Sequence, residues 1–143
     1  MTDTLHFTIP GNPVAKGRPR FRVFKGHVMS YTPAKTHKAE KEVLDAFKYC
    51  WPSFKTPFKG PISLKVTFFM QVPTSLSKKK QSALCLSPHV KKPDLDNLIK
   101  TVCDALNGYV WEDDSQIYMI QAIKTYSLDA PYTKVEITSS TGE

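Results

Sequence analysis

The order of sequence patterns predicts an α/β (α+β) fold: a mixed sheet of about four strands with two or three helices packed on it. Alternating apolar runs occur near both ends and in the middle of the chain, and stretches of helical periodicity separate them. Turn-forming residues mark the boundaries, at Pro10-Gly11-Asn12-Pro13, Pro52, Pro88 and Asn107-Gly108. The length, 143 residues, suits a single domain over 1–143 with a modest core. With 41% hydrophobic and 23% charged residues, the composition is that of an ordinary folded protein.

Leu5-His6-Phe7-Thr8-Ile9 alternates and predicts the first strand. Lys16 to Lys25 carries five cations and two aromatics in ten residues. Gly17 and Pro19 exclude a helix there, so the stretch is expected to be an exposed loop or ragged strand. Lys16, Arg18, Arg20 and Arg22 suit phosphate contact, with Phe21 or Phe24 stacking on bases; the alternative is a solvated arm with both rings turned inward. Thr32 as N-cap and Pro33 at the first helical position open a helix. Its apolar stripe is Val43, Leu44, Phe47, Cys50 and Trp51, and Pro52 stops it. Glu40 and Glu42 read as exposed helix charges.

Ile62 to Met70 predicts a central strand, and Ser77 to Leu84 a short capped helix with Lys78, Lys79 and Lys80 on one face. Those lysines, with Lys91 and Lys92, are candidate DNA contacts or a solvated surface. Leu95, Leu98, Ile99, Val102 and Leu106 then fall at helical spacing. Asp94 or Asp96 can cap the start of that helix, and Asn107-Gly108 ends it. Asp96, Lys100 and Asp104 share one face, at i, i+4 and i+8. Gln116–Tyr126 and Tyr132–Thr138 predict the last two strands, antiparallel to each other, with residues 139–143 as a frayed tail.

The charge pattern narrows the function. The formal net charge is +7, yet no acid occurs between Thr4 and Ala39 or between Ala46 and Pro93, while six of the thirteen acids lie from Asp94 to Asp114. A basic body around one acidic spot suits metal-dependent chemistry on a polyanion. Phosphodiester hydrolysis needs charge neutralisation at phosphorus and an activated water, and Mg²⁺ or Mn²⁺ held by a few carboxylates supplies both. Asp94, Asp96 and one acid of Glu112-Asp113-Asp114 are the candidate ligands, and Lys100 the candidate stabiliser of developing negative charge. Each has a plainer reading: Asp94 as an N-cap, Asp96–Lys100 as a surface pair worth about 0.3–0.5 kcal/mol, Asp113-Asp114 as a turn.

The three cysteines, Cys50, Cys85 and Cys103, show no metal or redox spacing, and the odd count suggests free thiols in a reducing cytoplasm. His6, His27, His37 and His89 are scattered and have no metal-ligand spacing. No signal peptide is visible. The most apolar run, Ile62 to Val72, contains Lys65 and is too short to span a bilayer, so no membrane association is expected.

The run Lys92-Pro93-Asp94-Leu95-Asp96-Asn97-Leu98-Ile99-Lys100, continued by Asp104-Ala105-Leu106-Asn107-Gly108 and Trp111-Glu112-Asp113-Asp114-Ser115-Gln116-Ile117, closely resembles the RusA family of Holliday junction resolvases. The resemblance extends to Lys16-Gly17-Arg18-Pro19-Arg20, Tyr31-Thr32-Pro33 and the serine-plus-lysine helix. It implies a small homodimeric, Mg²⁺-dependent endodeoxyribonuclease, of a kind often encoded by phages and prophages, that nicks two opposed strands of a four-way junction in recombination and repair. The essential carboxylates of the family match Asp94, Asp96 and Asp114, and its essential lysine matches Lys100; Asp113 adjoins the third carboxylate, and Asp104 matches a recurrent acid. Two other readings of the same residues are a basic DNA-binding module whose acids are structural, and a metal nuclease for other branched DNA.

Overall fold

A computed structural model of the chain describes residues 2–31 and 33–140. The strands are β1 (Thr2–Pro10), β2 (Arg20–Phe24), β3 (His27–Tyr31), β4 (Ile62–Met70), β5 (Ile117–Tyr126) and β6 (Tyr132–Ser140); the helices are α1 (Ala34–Cys50), α2 (Lys78–Leu84) and α3 (Leu95–Leu106). Four strands form a mixed sheet in the order β1-β6-β4-β5, and β2 and β3 form a separate hairpin. The fold is α+β, as expected.

Alternation decides which side of the sheet is buried. In β4, Ile62, Leu64, Val66, Phe68 and Met70 are buried, and Val135 and Ile137 of β6 and Phe7 and Ile9 of β1 join them on the same face. Val43 and Phe47 of α1 and Leu98, Val102 and Leu106 of α3 close this face. Phe47 sits at the centre, edge-on to Phe7, Phe54 and Tyr109 at centroid distances of 5.4, 5.2 and 6.1 Å. After α3, Gly108 takes φ 82°, which glycine adopts without strain, and the chain turns back to bury Val110 and Trp111.

Several expectations change. The helix α1 starts at Ala34, with Pro33 flanking it rather than inside it, and the predicted cap Thr32 lies outside the described residues. Its buried stripe is Thr36, Ala39, Val43 and Phe47, while Cys50 and Trp51, at its end, are exposed. The mixed sheet has the four strands expected, and two further strands occur among the described residues because Arg20–Tyr31 forms a hairpin. Lys25 and Gly26 both have positive φ, 49° and 78°, the tight turn that matches strand twist in two-residue hairpins. The last two strands are antiparallel but not neighbours: β6 pairs with β1 and β4, and β5 pairs in parallel with β4. The run of chain through α2 and α3 is long enough to make that parallel crossover. Ser139 and Ser140, expected in the tail, continue β6, and Ser139 is buried. No helix among the described residues is long and apolar enough to cross a membrane.

Candidate active site

The helix α3 is strongly two-faced. Leu98, Thr101, Val102, Cys103, Ala105 and Leu106 are buried, which leaves Asp96 and Lys100 exposed and Asp104 half-buried along the outer side. Asp94 is the N-cap by position, but its side chain makes no capping hydrogen bond. Instead its Oδ1 lies 3.0 Å from the Lys92 ammonium. Asp96 enters no ion pair and no side-chain hydrogen bond among the described residues. Two carboxylates thus stand at the mouth of α3, where the helix dipole favours negative charge.

The third predicted acid arrives by a different route. The 3₁₀ turn Asp114–Gln116 links Trp111 to β5. Asp113 caps this turn: its Oδ2 accepts from the Ser115 amide at 2.9 Å, and the Gln116 side chain accepts from the Asp113 amide at 2.8 Å. That hydrogen bond to Ser115 holds the Asp113 carboxyl below the usual carboxylate range. Asp114 is free of capping duty. Its Oδ1 accepts the indole N–H of fully buried Trp111 at 2.7 Å, which satisfies the only polar atom of that side chain. Partial burial pushes the Asp114 carboxyl up, the indole hydrogen bond opposes this, and the charges of Asp104 and Asp113 add to the rise. Such a carboxylate favours a cation beside it. Beneath it, burial together with Asp114 and Asp104 pushes the Cys103 thiol up to about 12, so this cysteine stays an inert core thiol.

Asp104 is the hub of a network that the spacing did not reveal. Its Oδ2 is 3.1 Å from the Lys16 ammonium and 3.8 Å from that of Lys100, and Lys16 also donates to Glu40 at 2.6 Å. Partial burial works to lower the Lys16 pKa, but the two carboxylates outweigh it and the pKa is raised. Glu40, expected as an exposed helix charge, is part of this network. The backbone fixes the contact: the Lys16 amide donates to the Asn97 carbonyl at 3.0 Å, and the Gly17 amide donates to Thr36 Oγ1 at 2.9 Å. A Cβ at Gly17 would meet that oxygen at 2.7 Å, so glycine allows the close approach.

The basic residues are spread over several parts of the fold. Lys16 points inward. Arg18 lines an open cleft of about 850 Å³, together with Asn12, Lys35, Lys92 and Pro93, that leads to the mouth of α3. Arg22 is exposed on the hairpin, its guanidinium 5.2 Å from the centre of the Tyr31 ring, and Arg20 begins β2. Lys78, Lys79 and Lys80 are exposed on α2, which Ser77 caps, and no ion pair links them to α3 among the described residues. Lys91 and Lys92 are exposed on the approach to Asp94, where Lys124 donates to the Lys91 and Pro93 carbonyls at 2.5 and 2.6 Å.

Oxygen donors of this kind fit a hard divalent cation. Among the described residues, however, no three carboxylate, histidine or cysteine groups converge as a ready-made metal cage. Asp94 and Asp96 adjoin at the mouth of α3, while Asp114 is held further along, towards Lys100 and Asp104.

A search against protein families matches residues 10–138 to the family described as Endodeoxyribonuclease RusA. Among curated proteins, the chain is 36% identical over 139 residues to Uncharacterized protein YqaN of Bacillus subtilis (strain 168), covering 94% of this chain and 96% of that one.

Proposed function

The chain belongs to the RusA endodeoxyribonuclease family, and from that premise we propose that it is a Mg²⁺-dependent resolvase that nicks opposed strands of four-way DNA junctions as a homodimer in the cytoplasm. The observation that carries the reading is the solvent-facing stripe of α3: two carboxylates at the helix mouth without capping duty, followed by Lys100 on the same side. In this reading Asp94, Asp96 and Asp114 hold Mg²⁺, with Mn²⁺ as substitute, which supplies charge neutralisation at the phosphate and an activated water. Lys100 lies beyond the carboxylates and faces the negative charge that builds on the phosphoryl or leaving oxygen. Trp111 fixes one oxygen of Asp114, so the other is presented in a single orientation. Arg18, with Arg20, Arg22 and the lysines of α2 and of the Lys91-Lys92 approach, holds the phosphate backbone.

The competing reading, DNA binding without catalysis, draws on the lack of a three-carboxylate cluster among the described residues. A labelled four-way junction, incubated beside linear duplex and flap substrates, separates the readings. We expect paired nicks in the junction with Mg²⁺ or Mn²⁺, binding without turnover in Ca²⁺, and no cleavage in EDTA. Cleavage that survives excess EDTA overturns the metal role, equal cleavage of flaps redirects the substrate, and binding without cleavage under every metal supports the binding module.

A further inference from the structure

β5 is an edge strand with an unusual surface. From Ile117 to Ile123 it carries no charged residue, in a chain of net charge +7. Its register with β4 puts Ile120 and Ala122 on the helix-bearing face and Met119, Gln121 and Ile123 on the open face. Tyr118, Met119, Ile120 and Ile123 are 65, 51, 42 and 48% exposed, so both faces of the strand are bare. Edge strands normally carry a lysine, a proline or a covering segment. Here the cover is partial. The strap Leu86–His89 pairs with the far end of β5: the His89 amide donates to the Lys124 carbonyl at 3.0 Å and the Tyr126 amide to the Ser87 carbonyl at 3.2 Å. Lys124 and Tyr126 therefore direct their backbone groups away from β4. By strand alternation Ile120 and Ala122 do so too, as does Tyr118, which the β4 register skips.

We propose that a second copy of this chain docks on this free edge, β5 against β5 in antiparallel pairing, with the two-fold axis at Ile120. The proposal deepens the dimeric resolvase reading and rests on it. The available window selects the register. Its limits are the 3₁₀ turn before Ile117 and the strap at Lys124, and the midpoint of its outward-facing residues is Ile120. Pairing Ile120 with its own copy and Tyr118 with Ala122 of the partner subunit uses every free backbone group, for roughly six inter-subunit hydrogen bonds. An occupant that must cover both faces of a strand and satisfy its edge is itself a strand, and the uncharged window excludes nucleic acid. A standard interface buries about 800 Å² per partner; the exposed Leu86 of the strap and Val90 just beyond it extend the apolar surface along this edge. An axis perpendicular to the sheet carries both α3 helices to the same side of a continuous sheet, so both acid stripes face one substrate.

Light scattering, circular dichroism and oxidative cross-linking of the full chain test this. Ile120→Glu places like charges opposite each other at the axis and should raise the dimer dissociation constant at least about a hundredfold, with the fold retained. In a Cys50→Ser background, Ile120→Cys should cross-link to its own copy, because facing residues of a hydrogen-bonded pair sit about 5.5 Å apart. Met119→Cys alone should not, since its partner in this register is Gln121. A dimeric wild type with a folded, still dimeric Ile120→Glu variant overturns the edge and leaves the resolvase reading intact. Equal cross-linking through 119 and 120 overturns the register. If Ile120→Glu fails to fold, the cysteine pair decides alone. A wild type that is monomeric with and without junction DNA overturns both surface and dimer, whereas a dimer through Ile120 that cleaves no junction upholds the surface and sinks the resolvase reading.

Discussion

The helix α3 and the hairpin β2–β3 carry the opposed charges of this molecule, and they are built in opposite ways. Each turn of α3 is anchored in the core, by Leu98, Val102 and Leu106, all at most 3% exposed. Its acids therefore have fixed positions. The side chains of the hairpin from Phe21 to Tyr31 are all exposed, and Phe21, Val23, Val28 and Met29 are more than half so. An isolated two-stranded hairpin is marginal in water. The difference matches the two tasks proposed for them. A phosphoryl-transfer site needs groups held to within a fraction of an ångström, whereas capture of a phosphate backbone needs only charge within reach. Substitutions in α3 should therefore cost rate, and substitutions in the arm and hairpin should cost affinity.

The largest expected effect breaks rate from affinity most cleanly. Asp96→Asn keeps the shape of the side chain and removes its charge. Nicking should fall about a thousandfold in single-turnover assays, while gel-shift affinity for the junction stays level or rises, because one negative charge near the phosphates is gone. Asp94→Asn and Asp114→Asn should behave alike, and Lys100→Ala should lose rate together with some affinity. Wild-type cleavage by Asp96→Asn would sink the α3 half of the comparison.

Next comes Trp111→Phe. It preserves most of the buried ring and removes the N–H that fixes Asp114. We expect about a 10- to 100-fold loss of cleavage, partly recovered at high Mg²⁺, as for other groups that orient a ligand. Loss of fold by circular dichroism, or no change in Mg²⁺ dependence, would assign the pair to stability alone.

Local patterns carried the acids but not their neighbours. The periodicity from Leu95 to Leu106 predicted α3 and the shared face of Asp96, Lys100 and Asp104, since both follow from 3.6-residue spacing. The capping of the 3₁₀ turn by Asp113 was also legible in principle, because Asp-x-x-Gln from 113 to 116 is a capping-box pattern. It leaves Asp114 as the available acid. The hairpin signal lay in Lys25-Gly26 between two alternating runs, masked by the density of cations. The indole contact to Asp114 and the Lys16–Glu40–Asp104 network were not legible, because they join segments that only the folded core brings together. The same holds for β5, whose neighbour is β4 rather than the strand that follows it.

The arm side of the comparison is sharpened by Arg18→Ala. Junction affinity should fall severalfold, and the slope of log affinity against log salt should drop by about one unit. Cleavage at saturating DNA should hold. An unchanged slope would place the cleft away from DNA.

The smallest effect concerns Lys16, where the two regions meet. Its cation looks like a DNA contact in sequence, yet it is drawn in between Glu40 and Asp104. Lys16→Met keeps the aliphatic stem and leaves those carboxylates facing each other unneutralised. The cost in stability should be about 1 kcal/mol, kept small by solvent screening of a partly exposed site. The sign with pH is fixed by the direction of the shift. The pKa of Lys16 is raised in the fold above the ordinary 10.5, so its contribution is fully present below 10.5 and is lost as pH climbs through the folded value. Wild type should lose this increment in denaturant titrations run above that pH, and Lys16→Met should not. The same variant discriminates the roles of the basic residues: its DNA affinity and salt slope should stay near wild type, unlike those of Arg18→Ala. A slope that drops as much as for Arg18→Ala would return Lys16 to the phosphate-binding set and show that the ion network opens when DNA arrives.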